Sequence, residues 1–121
     1  MFEVLALMLL SHQPLQPVAQ GEASYYTVAS SSRTTASGEV FDENELTCAM
    51  RDGEFGEYFL VAADNGRTVI CKLNDRGPYV RGRVIDLSKA AMRKLCPTSG
   101  TVNVSVYGLG KTVPPQLIRS P

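Results

Sequence analysis

The sequence predicts a small all-β domain, a barrel or a sandwich. Three observations carry this: short strand-like runs recur between turn-forming clusters, one Asp-Asn-Gly triplet joins two of them as a hairpin, and a single segment has helical spacing. About six strands are expected, and closing them into a barrel would remove the exposed edges that a small domain must otherwise protect.

The elements follow in chain order. Residues 23–29 hold a Tyr-Tyr-Thr-Val core of strand character, and a serine- and threonine-rich loop covers 30–38. Residues 46–50 form a short apolar segment, followed by a charged, glycine-punctuated stretch over 51–56. Runs 57–63 and 67–73 flank Asp64, Asn65 and Gly66, where Asn-Gly suits the positive φ of a type I′ turn. A short strand is expected over 84–87. Ser88 then caps a helix over 89–95, whose apolar stripe is Ala91, Met92 and Leu95 and which Pro97 ends. Leu87 can pack on Met92 as a hydrophobic staple. Residues 101–107 alternate, with Val102, Val104 and Val106 on one face and Asn103, Ser105 and Tyr107 on the other.

The chain of 121 residues suits one core, with 1–21 read as a leader, 22–110 as the domain and 111–121 as a tail. Residues 4–10 are wholly apolar, too short to span a bilayer and of the length of a signal-peptide core, though no basic residue precedes them. This points to export without stable membrane insertion. No cysteine follows that run, so no lipid anchor is expected there. Lys plus Arg and Asp plus Glu each number 12, a balance that gives no reason to expect a nucleic-acid partner. Cys48, Cys71 and Cys96 match no zinc spacing, and His12, the single histidine, lies in the leader, so neither metal nor cofactor is expected. One disulfide could form among the three, and the sequence leaves all three pairings open.

Three segments place charged groups in tight turns: Thr-Ala-Ser-Gly-Glu-Val-Phe-Asp at 35–42, Asn-Asp-Arg-Gly-Pro-Tyr at 74–79, and the run from Arg81 to Ser88 that delivers Asp86 to a helix start. Gly77 and Pro78 would hold Asp75 in a defined geometry. Two roles compete for it: a reactive carboxyl, or an acceptor for the amides of its own turn. Asp86 is similarly divided between chemistry and the amides of the helix N-terminus.

Together with Ala-Ser-Tyr-Tyr at 23–26, Leu-Thr-Cys-Ala-Met at 46–50, Phe55-Gly56, Asn65-Gly66-Arg67 and Ile-Asp-Leu-Ser-Lys-Ala-Ala at 85–91, these segments resemble the RlpA-like (rare lipoprotein A) family. The resemblance runs from about Ala23 to Tyr107 and implies a six-stranded double-psi β-barrel with one short helix, the fold of barwin and the expansins. It implies a lytic transglycosylase that cleaves MurNAc–GlcNAc bonds of peptide-poor peptidoglycan strands to 1,6-anhydro products. The protein would be a monomer in the periplasm or secreted. The family pattern implies Glu39 and Asp75 as site residues, and that of the expansins adds Asp86. A histidine of the family falls on Met50, which cannot transfer a proton. A non-catalytic glycan-binding module is therefore the alternative.

A glycosidic bond breaks when a carboxylic acid protonates the leaving oxygen. A transglycosylase uses the sugar's own C6 hydroxyl in place of water, so one carboxyl can serve as acid and then base. Asp75 is the candidate, with Glu39 and Asp86 assisting. Asp42, Met50, Arg76, Tyr79, Arg81 and Arg83 are the expected substrate contacts, the arginines for carboxylate or polar sugar edges and Tyr79 for stacking on a ring.

Overall fold

A computed structural model describes residues 16–27 and 34–113. The apolar run at 4–10, read as an export signal, lies outside the described residues, as does the tail beyond 113.

Six strands, β1 (Ala19–Tyr26), β2 (Thr47–Ala49), β3 (Tyr58–Ala63), β4 (Thr68–Asp75), β5 (Arg83–Ser88) and β6 (Thr101–Gly110), close into a barrel of order β1-β5-β2-β4-β3-β6. One helix, α1 (Lys89–Leu95), follows β5. Pairings β1–β5 and β2–β4 are parallel and the rest antiparallel, so the three-residue β2 links two parallel pairs through its antiparallel contact with β5. The first strand starts at Ala19, because Ala19 to Gly21 pair with Val106 to Val104. It therefore begins within the segment read as leader.

The core follows from alternation. Phe59, Val61 and Ala63 of β3, Val69, Cys71 and Leu73 of β4, and Val104 and Val106 of β6 point inward, while their neighbours face out. Ile85 and Leu87 of β5 fill the middle, and Ala91, Met92 and Leu95 bring one face of α1 against them. Each fully buried Leu or Ile contributes roughly 1.5–3 kcal/mol. Cys48, Cys71 and Cys96 are free thiols, and burial, with Cys71 as neighbour, pushes the Cys48 thiol well up.

Two local features differ from expectation or exceed it. The hairpin joining β3 and β4 forms where expected, but Gly66 N donates to Ala63 O at 3.0 Å and Ala63 N to Arg67 O at 2.8 Å. The loop thus holds three residues, with positive φ at Gly66, rather than the two of a type I′ turn. The physical reason is Asn65. Its Oδ1 accepts from Arg67 N at 2.8 Å and its Nδ2 donates to Leu95 O at 3.0 Å, tying the hairpin to the C-terminus of α1. Ser88 does more than cap: besides accepting from Ala91 N, its fully buried hydroxyl donates to Glu45 O at 2.5 Å and accepts from Thr47 N at 3.3 Å.

Ser88 therefore joins helix, β2 and the preceding loop through one oxygen. Ser88→Ala leaves three backbone groups short of a partner and should destabilise the fold by about 2 kcal/mol, read as a lower midpoint in urea unfolding.

Candidate functional site

The site is built around Ala49. On one side this residue pairs with Asp75 of β4, on the other with Asp86 of β5. Two strand spacings then separate the two aspartates, roughly 10 Å between Cα atoms. The pairing skips Asn74, because the register shifts between Cys48 and Ala49. That irregularity brings Asp75 level with Ala49, and Met50 N closes the end by donating to Asp75 O at 3.2 Å.

Asp75 Oδ1 accepts from Arg76 N at 2.9 Å and from Ala36 N at 3.0 Å. Its turn role is therefore present, but it is shared with a second segment distant in sequence. That segment is the Thr-Ala-Ser-Gly-Glu turn, which docks on the end of β4 through Ser37 N to Asn74 O at 3.1 Å. It is closed by Thr35 N to Glu39 O at 2.8 Å and Gly38 N to Thr35 O at 2.9 Å. After Arg76 the chain leaves through Gly77, at φ 114°, and a cis peptide to Pro78. Asp86 does not cap the helix, a task done by Ser88; its Oδ1 accepts from Ser24 Oγ of the adjacent β1.

Ala49 also belongs to a small apolar cluster with Tyr26 and Phe41, whose rings lie 4.7 Å apart. Burial, reinforced by the nearby charges of Asp75 and Asp86 and opposed by Thr47, pushes the Tyr26 phenol far up, so it stays neutral. Tyr26 Oη and Thr47 Oγ1 lie side by side, buried, without a well-formed hydrogen bond.

The remaining expected residues divide. Glu39 sits at the same end of β4 as Asp75 but is ion-paired with Lys72 at 3.0 Å, a bond that with Asn74 holds its carboxyl below the usual range. Lys72 is correspondingly raised by Glu39. Arg76 is engaged within the protein: Nη2 donates to Gly53 O at 2.7 Å, Nη1 to Met50 O at 3.4 Å, and the guanidinium lies 4.2 Å from the centre of the Phe55 ring. Met50 is buried in the main core, beside a cavity of about 370 Å³ lined by Phe59, Val84 and Arg51. Asp42 is exposed and accepts from Asn44 N in its own turn. Arg83 pairs with Glu22 at 3.3 Å. Tyr79 and Arg81 stand exposed on the loop between β4 and β5. Sequence reasoning did not single out Ser24, Tyr26 and Lys72. The first two sit at alternate positions of the Ala-Ser-Tyr-Tyr segment, a spacing that puts both on one face of β1.

Two outcomes test these contacts. Arg76→Ala removes a bidentate grip on two carbonyls and a cation–π contact, and should lower stability by about 1–3 kcal/mol in denaturant titration. Glu39→Gln should cost under about 1 kcal/mol, since the pair is largely solvated. A carboxylate with a depressed folded pKa stabilises above its unfolded pKa and ceases to as pH falls through the folded one. The raised Lys72 has the opposite sign and is lost only as pH rises through its own folded pKa. The Glu39→Gln deficit should therefore appear at neutral pH, fade below about pH 4 and shrink in high salt, as followed by thermal melts.

Residues 18–106 match the family described as lytic transglycolase. A probable endolytic peptidoglycan transglycosylase RlpA of Treponema pallidum (strain Nichols) is 47% identical over 92 residues, covering 74% of this chain and 29% of its own. The endolytic peptidoglycan transglycosylase RlpA of Pasteurella multocida (strain Pm70) is 46% identical over 76 residues, 62% of this chain and 26% of its own. The chain thus spans under a third of the length of these curated relatives. Among solved structures, a mutant Clavibacter michiganensis expansin in complex with cellohexaose superposes with TM-score 0.61 at 18% identity, over 79% of this chain and 52% of that one. The Streptomyces papain inhibitor does so with TM-score 0.57 at 23% identity, over 78% and 99% respectively. These structures share the fold expected from the resemblance, a double-psi β-barrel. From the match over residues 18–106, the chain belongs to the lytic transglycolase family.

Proposed function

We propose that this domain is a peptidoglycan lytic transglycosylase acting on peptide-poor glycan strands outside the cytoplasm, with Asp75 as its acid and base. One observation carries the reading. Asp75 is fixed through a single oxygen by two backbone amides from separate segments, while no described residue donates to Oδ2. A carboxyl held this way has a defined direction and one oxygen left for a substrate proton. The protonated acid gives its proton to the glycosidic oxygen as the C1–O bond breaks. The C6 oxygen of the same sugar then closes on C1, and the carboxylate takes the C6 hydroxyl proton. No water is consumed, and the acid is regenerated.

Asp86, held by Ser24 on the far side of Ala49, supplies negative charge near the oxocarbenium-like transition state. Glu39 acts at one remove, because its turn presents Ala36 N to Asp75. Tyr79 and Arg81 are free to meet the glycan. The names of the RlpA relatives support this substrate class.

Met50 favours a second reading. The resemblance sets it where the family carries a histidine, and its buried thioether can neither donate a proton nor orient a carboxylate. A glycan-binding module without turnover would keep the same Asp75 surface.

Incubating the protein with peptide-free glycan strands and analysing the products by mass spectrometry separates the two. Release of 1,6-anhydro ends is expected, with Asp75→Asn reducing it by about 10²–10⁴. Retention on sacculi without released product would establish the binding module instead, and activity gained only in Met50→His would mark histidine loss as the cause.

A further inference from the structure

The outer face of β6 presents Asn103, Ser105 and Tyr107 opposite the buried Val104 and Val106, and the carboxylate site makes no use of it. In the closed barrel β6 lies three strands from β2 in either direction, so this wall faces away from Asp75 and Asp86. Gln20 of β1 and Ala62 of β3 flank Ser105 on its two sides. Gln20 Nε2 donates to Ser105 Oγ at 3.0 Å, leaving the rest of both groups to solvent. Ala62 reaches outward by only one carbon, so the sheet surface dips there, and Asp64, Asn103 and Tyr107 rise around the dip. The depression measures about 540 Å³, within the range of roughly 300–1,000 Å³ of small-molecule sites.

We propose that this groove is a second carbohydrate-binding surface, one that takes a neutral N-acetylhexosamine segment. Amides and hydroxyls both donate and accept, as the hydroxyls and acetamido groups of such a sugar require. The Tyr107 ring supplies the flat apolar face on which a pyranose can lie. Asp64 is the one charged residue among the described residues that line the groove, and with no cation among them an anionic sugar is disfavoured. The inference goes beyond the reading of the Asp75 face and holds whether or not that face cleaves.

Chitohexaose, a neutral N-acetylglucosamine oligomer, provides the test, titrated into the isotope-labelled chain and followed by NMR. Saturable shifts are expected at Gln20, Asn103, Ser105 and Tyr107, with a dissociation constant on the order of 1 mM. Tyr107→Ala and the groove-filling Ala62→Arg should each weaken binding about fivefold or more, while Asp75→Asn leaves these shifts unchanged. Thermal melts show which of the two groove variants remains folded, and either one suffices. Absent saturable shifts, shifts confined to the surroundings of Asp75 and Asp86, or folded groove variants binding within about twofold of wild type would each overturn the proposal. Failure to release anhydro products would remove the enzyme reading and leave this one standing.

Discussion

The arrangement depends on the double pairing of Ala49. Strand β2 is only three residues long, yet it bridges a parallel neighbour and an antiparallel one. The ladder bonds of so short a strand hold little on their own. Cys48 sealed in the core and Thr47 N bound to Ser88 Oγ fix it at both levels. Once β2 is fixed, the two candidate carboxylates have no freedom in where their backbones lie: Asp75 and Asp86 are simply what β4 and β5 carry at that height. The register shift beside Cys48 matters for the same reason, because an unshifted ladder would set Asn74 opposite Ala49 and turn Asp75 toward another face.

Around this frame the polar groups are divided by their depth. Glu39 and Lys72 neutralise each other at the surface, where the pair shapes a turn more than it stabilises the fold. Arg76 lies deeper, bound to two carbonyls and a ring, and it fixes the segment from Met50 to Phe55 that follows β2. Asp75 lies between these extremes and is anchored by neutral amides rather than by a cation. Amides from two separate segments fix the direction of its Oδ1. The sequence places Arg76 immediately beside Asp75, and the fold turns that side chain toward Gly53 O.

Much of this was legible in the sequence, and the reasons are local. Alternation in β6 reads directly because one face of that strand is buried, and Ser88 reads as a cap because the helix start needs a short acceptor side chain. The positions of Asp75 and Asp86 within motifs were visible, but their shared neighbour was not, since it arises from one parallel and one antiparallel pairing between segments far apart in sequence. The hairpin shows the same limit on a smaller scale. Asn-Gly announces a turn, while the choice of a three-residue loop is made by Asn65 reaching Leu95 O, thirty positions along the chain. The commitments of Arg76 and Glu39 likewise depend on partners that charge alone does not name.

Met50 shows where fold and chemistry separate. A strand end packed against Phe59 and the barrel interior accepts methionine readily, because a flexible thioether fills irregular space at little cost. Nothing in the packing therefore selects for histidine at this position, and a histidine there would have to bring its ring nitrogens to partners or to solvent. The barrel remains intact with either residue, since Met50 contributes its backbone to the site in any case, through the bonds to Asp75 O and from Arg76. On the proposed reading, a histidine here would add a titratable group to the segment that bonds Asp75 O, and without one the carboxyl would have to pass a proton in both directions unaided. A transglycosylase can tolerate that better than a hydrolase can. Its nucleophile is already bound within the sugar and needs no separate base to activate water, so a single directed carboxyl remains chemically sufficient.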